Sequence, residues 1–568
     1  MKIMVEYMKK NLKLIICIVM CICVLMLVTV FLNKNSENEI KPIKELEKYE
    51  DVVIVMDNSS HGDKIEFNVP KDDTIQDYNT YYGNMIQLRL ESQSKFFFSI
   101  LNELEMIVSS VDFRTLSGYD VFEGIEKYYY YDKLCFEIDN SFKFSNVTET
   151  IKQLVDETYY GEGYFLSPEF KTYMSGMSDE EIVTTKLSQT MQMLFLCKRY
   201  ELLDEIYIED VGTWIKEQYD KNMKNTDKFY VYLSMKYIGK DVEEVDKEFF
   251  YNIKNTREEF DLIETYAFVY LMNEGKIEIS SNEKKDIVSL SIRYIDESKM
   301  SNLMELYYAV AIVDLIDDSA LSAYKTKICS LLNIYRYDNG LYPVISSYIC
   351  DNKQLMIYYE NAKLLGLDVE LGELADNLTF DLNEQDVADI YALVRFEQKF
   401  DMDVSGIGQK IIDMAKECSI DNINQIAYLN LILGELVISM KEEYLDSTII
   451  DYLNILTTAK DIEYNIVDLI LINSFLQTGY INETDVLVDN IKNTDVTKFE
   501  SLVPIGIYHK YNIMKNLDMD IEQQNLKNII MKYRCEGGFK MEITHNFFDI
   551  QATNYLLKIV SDIENLED

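Results

Sequence analysis

Histidine, serine and glycine often carry catalytic chemistry, but their spacing in this chain matches no common catalytic motif. The three histidines, His61, His509 and His545, form no His-Glu-x-x-His pair, so a metalloprotease helix is not predicted. The chain also lacks a Gly-x-Ser-x-Gly nucleophile elbow and a glycine-rich phosphate loop. The carboxylate pair that a glycosidase needs cannot be singled out among 98 acidic residues. The residues alone therefore predict no catalytic, cofactor-binding or metal-binding side chain.

Tyrosine is the most distinctive residue type, with 43 copies. Several tyrosines are adjacent in the chain, as in 81–82, 128–131, 159–160 and 358–359. The tyrosine ring is apolar and its hydroxyl forms hydrogen bonds, which suits both the wall of a binding groove and the edge of a core. Both interpretations stay open for these runs. Trp214, the only tryptophan, is predicted to be a core residue.

The elements that position these residues are predicted to be helices. Five prolines and 20 glycines are few for 568 residues, which favours long helices over a turn-rich β architecture. Apolar residues between Met85 and Ile107 follow helical spacing. Further along, tyrosines recur at intervals of 33 to 50 residues, the length of one helical hairpin. These tyrosines are Tyr266, Tyr308, Tyr358, Tyr391 and Tyr428. A helical hairpin cannot bury both of its faces alone, so such a series must stack into a solenoid or close into a ring.

Three turns that combine glycine with an aromatic residue punctuate this series. They contain Gly163 before Phe165, Gly340 before Tyr342, and Gly537-Gly538 before Phe539. Each is followed by a predicted helix, at 184–196, 354–365 and 549–557. Glycine tolerates positive φ, so Gly163, Gly340 and Gly538 are interpreted as sharp bends between hairpins. The aromatic residue that follows each bend is expected to plug the core.

The last turn carries a family resemblance. Gly537-Gly538-Phe539, followed by Asp549-x-x-x-Thr553-x-Tyr555 and a helix, resembles the repeat of the protein prenyltransferase β-subunit and squalene-cyclase (terpenoid cyclase) superfamily. The turns at Gly163 and Gly340 are degenerate copies of it. The resemblance implies an α/α toroid, in which two concentric layers of helices surround a central cavity.

The catalytic residues of that superfamily have weak counterparts here. Prenyltransferases hold zinc with Asp, Cys and His, and the resemblance suggests Cys535, His545 and Asp549 as an analogous set. Their spacing is no recognised zinc signature, and a buried thiol, a surface histidine and a helix-start aspartate explain them equally well. The acidic segment with which squalene cyclases protonate their substrate is missing, because Asp317-Asp318 supplies only an acidic pair.

A membrane anchor is predicted near the N-terminus. Leu14 to Leu32 contains no charge, and 19 helical residues span nearly the hydrocarbon thickness of a bilayer. The run is too long for a secretory signal, and no small residue precedes Cys21 or Cys23 as lipoprotein processing favours. The lysines before the segment predict that residues 1–13 are cytoplasmic and that the rest lies outside. The predicted divisions are therefore a tail at 1–13, a transmembrane helix at 14–32, a tether with a small irregular or β-like region at 33–80, and an α/α repeat domain at 81–568. In the β-like region, residues 51–56 and 64–69 are apolar runs that suggest a small hairpin, with helix as the open alternative for such short runs.

Charge and cysteine content narrow the partners and the chemistry. A formal net charge of −43 excludes nucleic acid as a favoured partner, since phosphate contacts need clustered Lys and Arg. Six cysteines follow the anchor, at scattered positions without a Cys-x-x-Cys pair, and are expected to be buried free thiols. If any pair forms, Cys329 with Cys350 is the closest in sequence.

These observations predict an all-α chain, a toroid or solenoid of helical hairpins behind one transmembrane helix. The expected function is non-catalytic: a binding or scaffold domain at the cell surface with an unidentified ligand or protein partner. The alternative is an extracytoplasmic enzyme on the same toroid, acting on cell-envelope glycan or an isoprenoid-like lipid.

Overall fold

The computed structural model describes residues 41–61, 64–90, 97–110, 124–168, 170, 174–220, 223–242, 260–275, 279–297, 300–369, 371–379, 386–400, 406–460, 462–482, 484–493 and 502–566. The predicted cytoplasmic tail and the predicted transmembrane segment, Leu14–Leu32, lie outside these residues. Within the described ranges, every helix is too short or too polar to cross a lipid bilayer.

The described part of the chain is mainly helical, which confirms the all-α prediction. In chain order the helices are α1 Glu50–Asn58, α2 Asp77–Leu90, α3 Phe97–Ser110, α4 Ile125–Ile138, α5 Thr148–Thr158, α6 Asp179–Arg199, α7 Ile208–Gln218, α8 Asn225–Tyr237, α9 Leu262–Gly275, α10 Ser281–Glu297, α11 Leu303–Asp317, α12 Lys325–Ile334, α13 Asn352–Leu364, α14 Leu371–Asn377, α15 Val387–Phe400, α16 Ile407–Glu417, α17 Ile423–Glu435, α18 Ser447–Thr458, α19 Ile466–Gln477, α20 Asp485–Asn493, α21 Pro504–Asn516, α22 Gln523–Met531 and α23 Ile550–Leu566. The strands are β1 Ser60–His61, β2 Lys64–Ile75, β3 Tyr159–Tyr160, β4 Tyr164–Phe165, β5 Pro343–Ile349, β6 Arg534–Cys535 and β7 Gly538–Phe539.

Six helices of the first half pack in a closed order, here called ring A. They are α2, α4, α6, α8, α9 and α11; each packs against the next, and α11 packs back against α2. Helices α3, α5, α7, α10 and α12 each pack on one member of ring A and form an outer layer. Residues 243–259, between α8 and α9, lie outside the described residues.

Six helices of the second half repeat this order as ring B. They are α13, α15, α17, α19, α21 and α23, and α23 packs back against α13. The intervening helices α14, α16, α18 and α22 pack on members of ring B, and α20 packs on α18. Inner and outer helices therefore alternate along the second half, and along the described parts of the first half on either side of residues 243–259.

Burial differs between the layers for a physical reason. The inner helix α19 buries seven residues between Asp468 and Phe475, on most of its circumference. The outer helix α16 buries Ile407, Ile411 and Ala415, a single stripe at i, i+4 spacing. An inner helix has neighbours on both flanks and at its back, whereas an outer helix contacts protein on one face only.

The segment before ring A connects the two halves. Residues 51–56 were predicted to be β-like, but they belong to helix α1, which packs on α12 and on α13. Their run of valines and isoleucine is short, and a short apolar run does not separate a strand from a helix that packs on two neighbours. The strand predicted at 64–69 is confirmed as part of β2. Its main partner is the distant antiparallel β5, with Pro70 opposite Ile345, and not a neighbouring hairpin strand.

The three predicted glycine bends lie between an outer helix and an inner helix. Gly163, Gly340 and Gly537 have φ of 97°, 93° and 89°, so the backbone is left-handed at each of these three turns. Gly538 lies in the short strand β7, and a Cβ there would stand 2.4 Å from Thr553 Oγ1. Close packing, not a left-handed bend, therefore requires glycine at 538.

Each bend is tied to an inner helix by the same hydrogen bond. The backbone N–H of the aromatic residue donates to a threonine hydroxyl of that helix. The pairs are Phe165 with Thr190, Tyr342 with Thr80, and Phe539 with Thr553, at 3.1, 3.1 and 2.9 Å. The helix predicted after the Gly340 turn, at 354–365, is confirmed as α13 (Asn352–Leu364). The turn itself docks on α2, because ring A closes there and the next inner helix in space is the first in sequence.

The cysteines and the tryptophan are largely as predicted. Cys135, Cys197, Cys329, Cys350, Cys418 and Cys535 are free, and only Cys535 is not fully buried. Burial raises the pKa of Cys197 and Cys350 to about 12, so these thiols are unreactive. Trp214 is 6% exposed and packs on Tyr164 with ring centroids 5.3 Å apart.

We predict that Gly537→Ala destabilises the chain by about 3 kcal/mol, combining left-handed strain with overpacking. The new Cβ would stand 2.7 Å from both Ile334 Cγ2 and Phe548 Cδ1. Gly479→Ala is the matched control, since Gly479 has φ of 73° but no atom within 4 Å of its Cβ position. It should cost only about 1–2 kcal/mol. Urea unfolding followed by circular dichroism measures both, and equal losses would contradict the packing argument.

Candidate functional site

Each ring encloses a cavity lined by its six inner helices. The ring A cavity has a volume of about 560 Å³, and every helix from α2 to α11 in ring A contributes side chains to it. The ring B cavity has a volume of about 700 Å³, lined by all six ring B helices and by residues 437–439 after α17. Both volumes lie in the range of roughly 300–1,000 Å³ that is typical of small-molecule sites. The two lumens are therefore the candidate sites.

Ten tyrosines line the ring A cavity. They are Tyr81, Tyr82, Tyr129, Tyr130, Tyr230, Tyr237, Tyr266, Tyr270, Tyr307 and Tyr308. Their rings form a continuous edge-to-face cluster, with centroids 4.8 Å apart for Tyr81–Tyr130 and 5.2 Å apart for Tyr266–Tyr308. Such tilted contacts are the favoured geometry of aromatic pairs. Nearly a quarter of the chain's tyrosines thus converge on one lumen.

Burial holds most phenols of this cluster in their neutral form. It raises the pKa of Tyr230 to about 12, and it is the largest cause of the shift at the six tyrosines named next. The pKa also lies above its usual range for Tyr81, Tyr82, Tyr129, Tyr130, Tyr266 and Tyr308. The ring centroids of Tyr82 and Tyr308 lie 6.1 Å apart, and those of Tyr266 and Tyr307 lie 6.2 Å apart. The cavity wall therefore offers aromatic faces and uncharged hydroxyl groups.

Charged groups in the ring A cavity are paired within the protein. Arg89 Nη1 lies 2.7 Å from Asp314 Oδ2, and Lys133 Nζ lies 2.5 Å from Glu137 Oε1. Gln192 is 1% exposed, and its Oε1 has no hydrogen-bond partner within the described structure. The lumen thus has a free polar acceptor but no excess charge.

The ring B cavity is organised around a buried carboxylate. Glu360 has a side chain only 3% exposed, with Oε1 2.9 Å from Arg395 Nη1 and Oε2 2.7 Å from Lys558 Nζ. Desolvation opposes its ionisation, but Lys558 and Arg395 outweigh that effect and hold its pKa below the usual range. Glu435 Oε1 lies 3.8 Å from Arg395 Nε. A buried carboxylate between two cations is a stable arrangement only while both partners remain.

A neutral histidine faces the same lumen. Burial, and then the positive charge of Lys558, lower the pKa of His509 to about 4. Its Nδ1 lies 3.0 Å from Asn473 Nδ2, and its ring lies against Tyr508 and Tyr555. At neutral pH His509 is therefore an uncharged hydrogen-bonding group and a weak base.

The residues that the family resemblance suggested for zinc do not converge. Cys535 Sγ lies 3.7 Å from the Gly538 carbonyl oxygen, and His545 lies beside Glu542 on the surface. Asp549 accepts the backbone N–H of Ala552 and so caps α23. Within the described residues, no three His, Cys, Asp or Glu side chains are grouped to hold a metal ion.

The tyrosine runs divide between the two interpretations. Tyr81-Tyr82 and Tyr129-Tyr130 line the ring A cavity. Tyr358 and Tyr359 instead pack in the core against Phe67 and Phe396. Among the periodic tyrosines, Tyr266 and Tyr308 line the ring A cavity, and Tyr391 and Tyr428 line the ring B cavity.

The charged residues of the ring B cavity were missed from the sequence, although a signal for them exists. Arg395 and Lys558 stand one helical turn after Tyr391 and Tyr555, at i+4 and i+3. Residues at these spacings share a helix face. A charge one turn from a tyrosine on a hydrophobic helix therefore indicates a residue that faces the lumen.

We predict that lowering the pH from 7 to 5 destabilises the wild-type protein more than it destabilises the His509→Gln variant. The pKa of His509 is about 4 when folded and 6.5 when unfolded, so the unfolded chain binds the proton more readily between these values. Its contribution to stability is present above pH 6.5 and is lost as the pH falls towards 4, by roughly 2 kcal/mol at pH 5. Urea unfolding midpoints at both pH values measure the difference. Parallel pH profiles would contradict a buried neutral imidazole.

Comparison with known proteins adds no relative from which a site could be transferred. Neither the family models, nor the curated proteins, nor the solved structures give a significant match to this chain. The function is therefore inferred from the two cavities themselves.

Proposed function

We propose that this chain is a single-pass, membrane-anchored extracytoplasmic protein that binds a small ligand in the ring A cavity without transforming it. The tyrosine lining of that cavity is the observation that carries the proposal. The uncharged segment Leu14–Leu32, with lysines before it, supports the anchor and its orientation. The two closed helix orders, with inner and outer layers, support an α/α toroid architecture for each half.

The cavity chemistry favours a neutral, hydroxylated ligand with apolar faces, such as a sugar unit. Tilted tyrosine rings offer surfaces on which an apolar face can pack, and their hydroxyls offer donors and acceptors. The carboxylates Asp314 and Glu137 and the cations Arg89 and Lys133 are already paired, so a charged ligand would find no free counter-charge. The unpartnered Oε1 of Gln192 can accept a ligand hydroxyl.

Binding is favoured over turnover because the lining groups are poorly suited to chemistry. The buried tyrosines hold their protons far above neutral pH, which makes them weak bases and weak nucleophiles. No histidine or cysteine lines the ring A cavity within the described residues. The enzyme alternative, acting on glycan or an isoprenoid-like lipid, would be supported if incubation with oligosaccharides or polyprenyl phosphates released product.

We predict that the full chain binds neutral oligosaccharides such as maltotriose and triacetylchitotriose. Tyr270→Ala should lower the affinity for the tighter-binding of these two probes about tenfold. Removing one stacking ring should cost on the order of 1.4 kcal/mol of binding free energy. Isothermal titration calorimetry measures it. Tyr508→Ala, a cavity tyrosine of ring B, is the matched control and should leave this affinity unchanged. Absence of binding by both probes, or equal losses in both variants, would refute the sugar-binding proposal.

We predict that deleting residues 1–33 moves the protein from the membrane fraction to the soluble fraction. The circular dichroism spectrum should show that the remaining residues keep their helical structure. The uncharged segment is the only predicted source of bilayer affinity. Fractionation of cells followed by carbonate extraction measures the shift. A full-length chain that is extracted by carbonate as readily as the deletion variant would contradict the anchor.

A further inference from the structure

The ring B cavity differs from ring A in its charge. Its lining contains four basic residues, Lys353, Arg395, Lys515 and Lys558, against the two acids Glu360 and Glu435. The whole chain shows the reverse, with 55 basic and 98 acidic residues. Lys515 pairs with Asp562 at 2.7 Å, yet without it basic residues still outnumber acids three to two. Positive charge is therefore concentrated in this lumen against the trend of the molecule.

The buried part of the network leaves positive charge uncompensated. Glu360 uses its two oxygens on two cations, Arg395 and Lys558, so a single negative charge faces two positive ones. Glu435 is the more exposed acid and reaches Arg395 only at 3.8 Å. Lys353 adds a third cation on the same helix as Glu360. Positive charge in a partly dehydrated cavity attracts anions more strongly than it does at an open surface.

Polar groups without partners also face this lumen. Asn473 is 3% exposed, and its Oδ1 has no hydrogen-bond partner, while its Nδ2 is used by His509 Nδ1. Turning the amide over would leave Nδ2 free in its place, so one polar atom is unpaired in either orientation. Asn512 Nδ2 is likewise unpaired, and both asparagines line the cavity. A buried polar atom without a partner costs free energy unless a ligand or water supplies the bond.

We propose that the ring B cavity is a second binding site, for a small hydroxylated molecule that carries a carboxylate or phosphate group. Lys353, Arg395 and Lys558 supply the positive charge for the anionic group. Asn473 and Asn512 bond to ligand hydroxyls, and the Nε2 of His509 is available to donate. Sugar acids and sugar phosphates share this chemistry. The site is independent of the ligand proposed for ring A, because it uses different helices and its lumen is positively charged, whereas the ring A lumen has no excess charge.

Calorimetry with the full chain and three matched probes tests the proposal. Glucuronate and glucose 1-phosphate carry the anion, and glucose lacks it. We expect at least one anionic probe to bind tenfold or more tightly than glucose, and to weaken several-fold between 50 and 500 mM salt. Comparison of the two anionic probes separates carboxylate from phosphate as the preferred group. The proposal would be overturned if glucose bound as tightly as both anionic probes, or if neither anionic probe bound at millimolar concentration.

Variants assign the binding to this cavity. Lys353→Gln should weaken the anionic probe about fivefold or more, whereas Lys363→Gln, on the same helix but outside the lining, should not. Asn473→Asp places a carboxylate at the unpaired position and should abolish binding of the anion. Circular dichroism checks that each variant is folded. Lys353 is only half-buried, so its variant decides the question if Asn473→Asp does not fold. Unchanged affinity in Lys353→Gln would overturn the assignment, whatever the outcome for ring A.

Discussion

The contacts that close each ring, α11 on α2 and α23 on α13, are the constraint on which the rest of the structure depends. An inner helix such as α19 is apolar on most of its circumference, so it must have neighbours on both flanks and at its back. In an open row, the first and last helices would each expose an apolar flank to water. Closure removes both exposed flanks at once, and outer helices such as α16 need only one apolar stripe to cover the back.

Closure also explains why the three glycine turns are built alike. Each turn lies between an outer helix and the inner helix that follows it in the chain. Glycine supplies the left-handed backbone, and a threonine on the inner helix receives the N–H that the turn would leave unpaired. At Tyr342 the threonine is Thr80, 262 residues earlier, because the inner helix next in space is the first helix of the ring. Asp51 of α1 further fixes the last turn by accepting the N–H of Gly537 at 2.6 Å.

A closed ring creates a lumen whose chemistry depends on the few residues that line it. The two rings differ in these lining residues. Ring A lines its cavity with tyrosines that burial keeps protonated, so the lumen is polar without being charged. In ring B, Glu360 lies between Arg395 and Lys558, so ion pairs join the helices that line its lumen. Burial favours the neutral form in both rings: it keeps the phenols protonated, but at Glu360 the flanking cations outweigh it and hold the pKa of the carboxyl below its usual range. One scaffold thus supports two chemically distinct cavities.

The sequence by itself determined the helical class, the hairpin period and the positions of the bends, because these depend on spacing along one helix and on the backbone freedom of glycine. Tyr266, Tyr308, Tyr391 and Tyr428 mark lumen-facing positions for the same reason. Only the tertiary structure decided which helix receives the Gly340 turn, and that residues 51–56 form a helix between two halves. It also decided that Glu360, Arg395 and Lys558 meet. These outcomes depend on contacts between residues tens to hundreds of positions apart, and no local pattern encodes which distant partner will complete a ring or neutralise a buried charge.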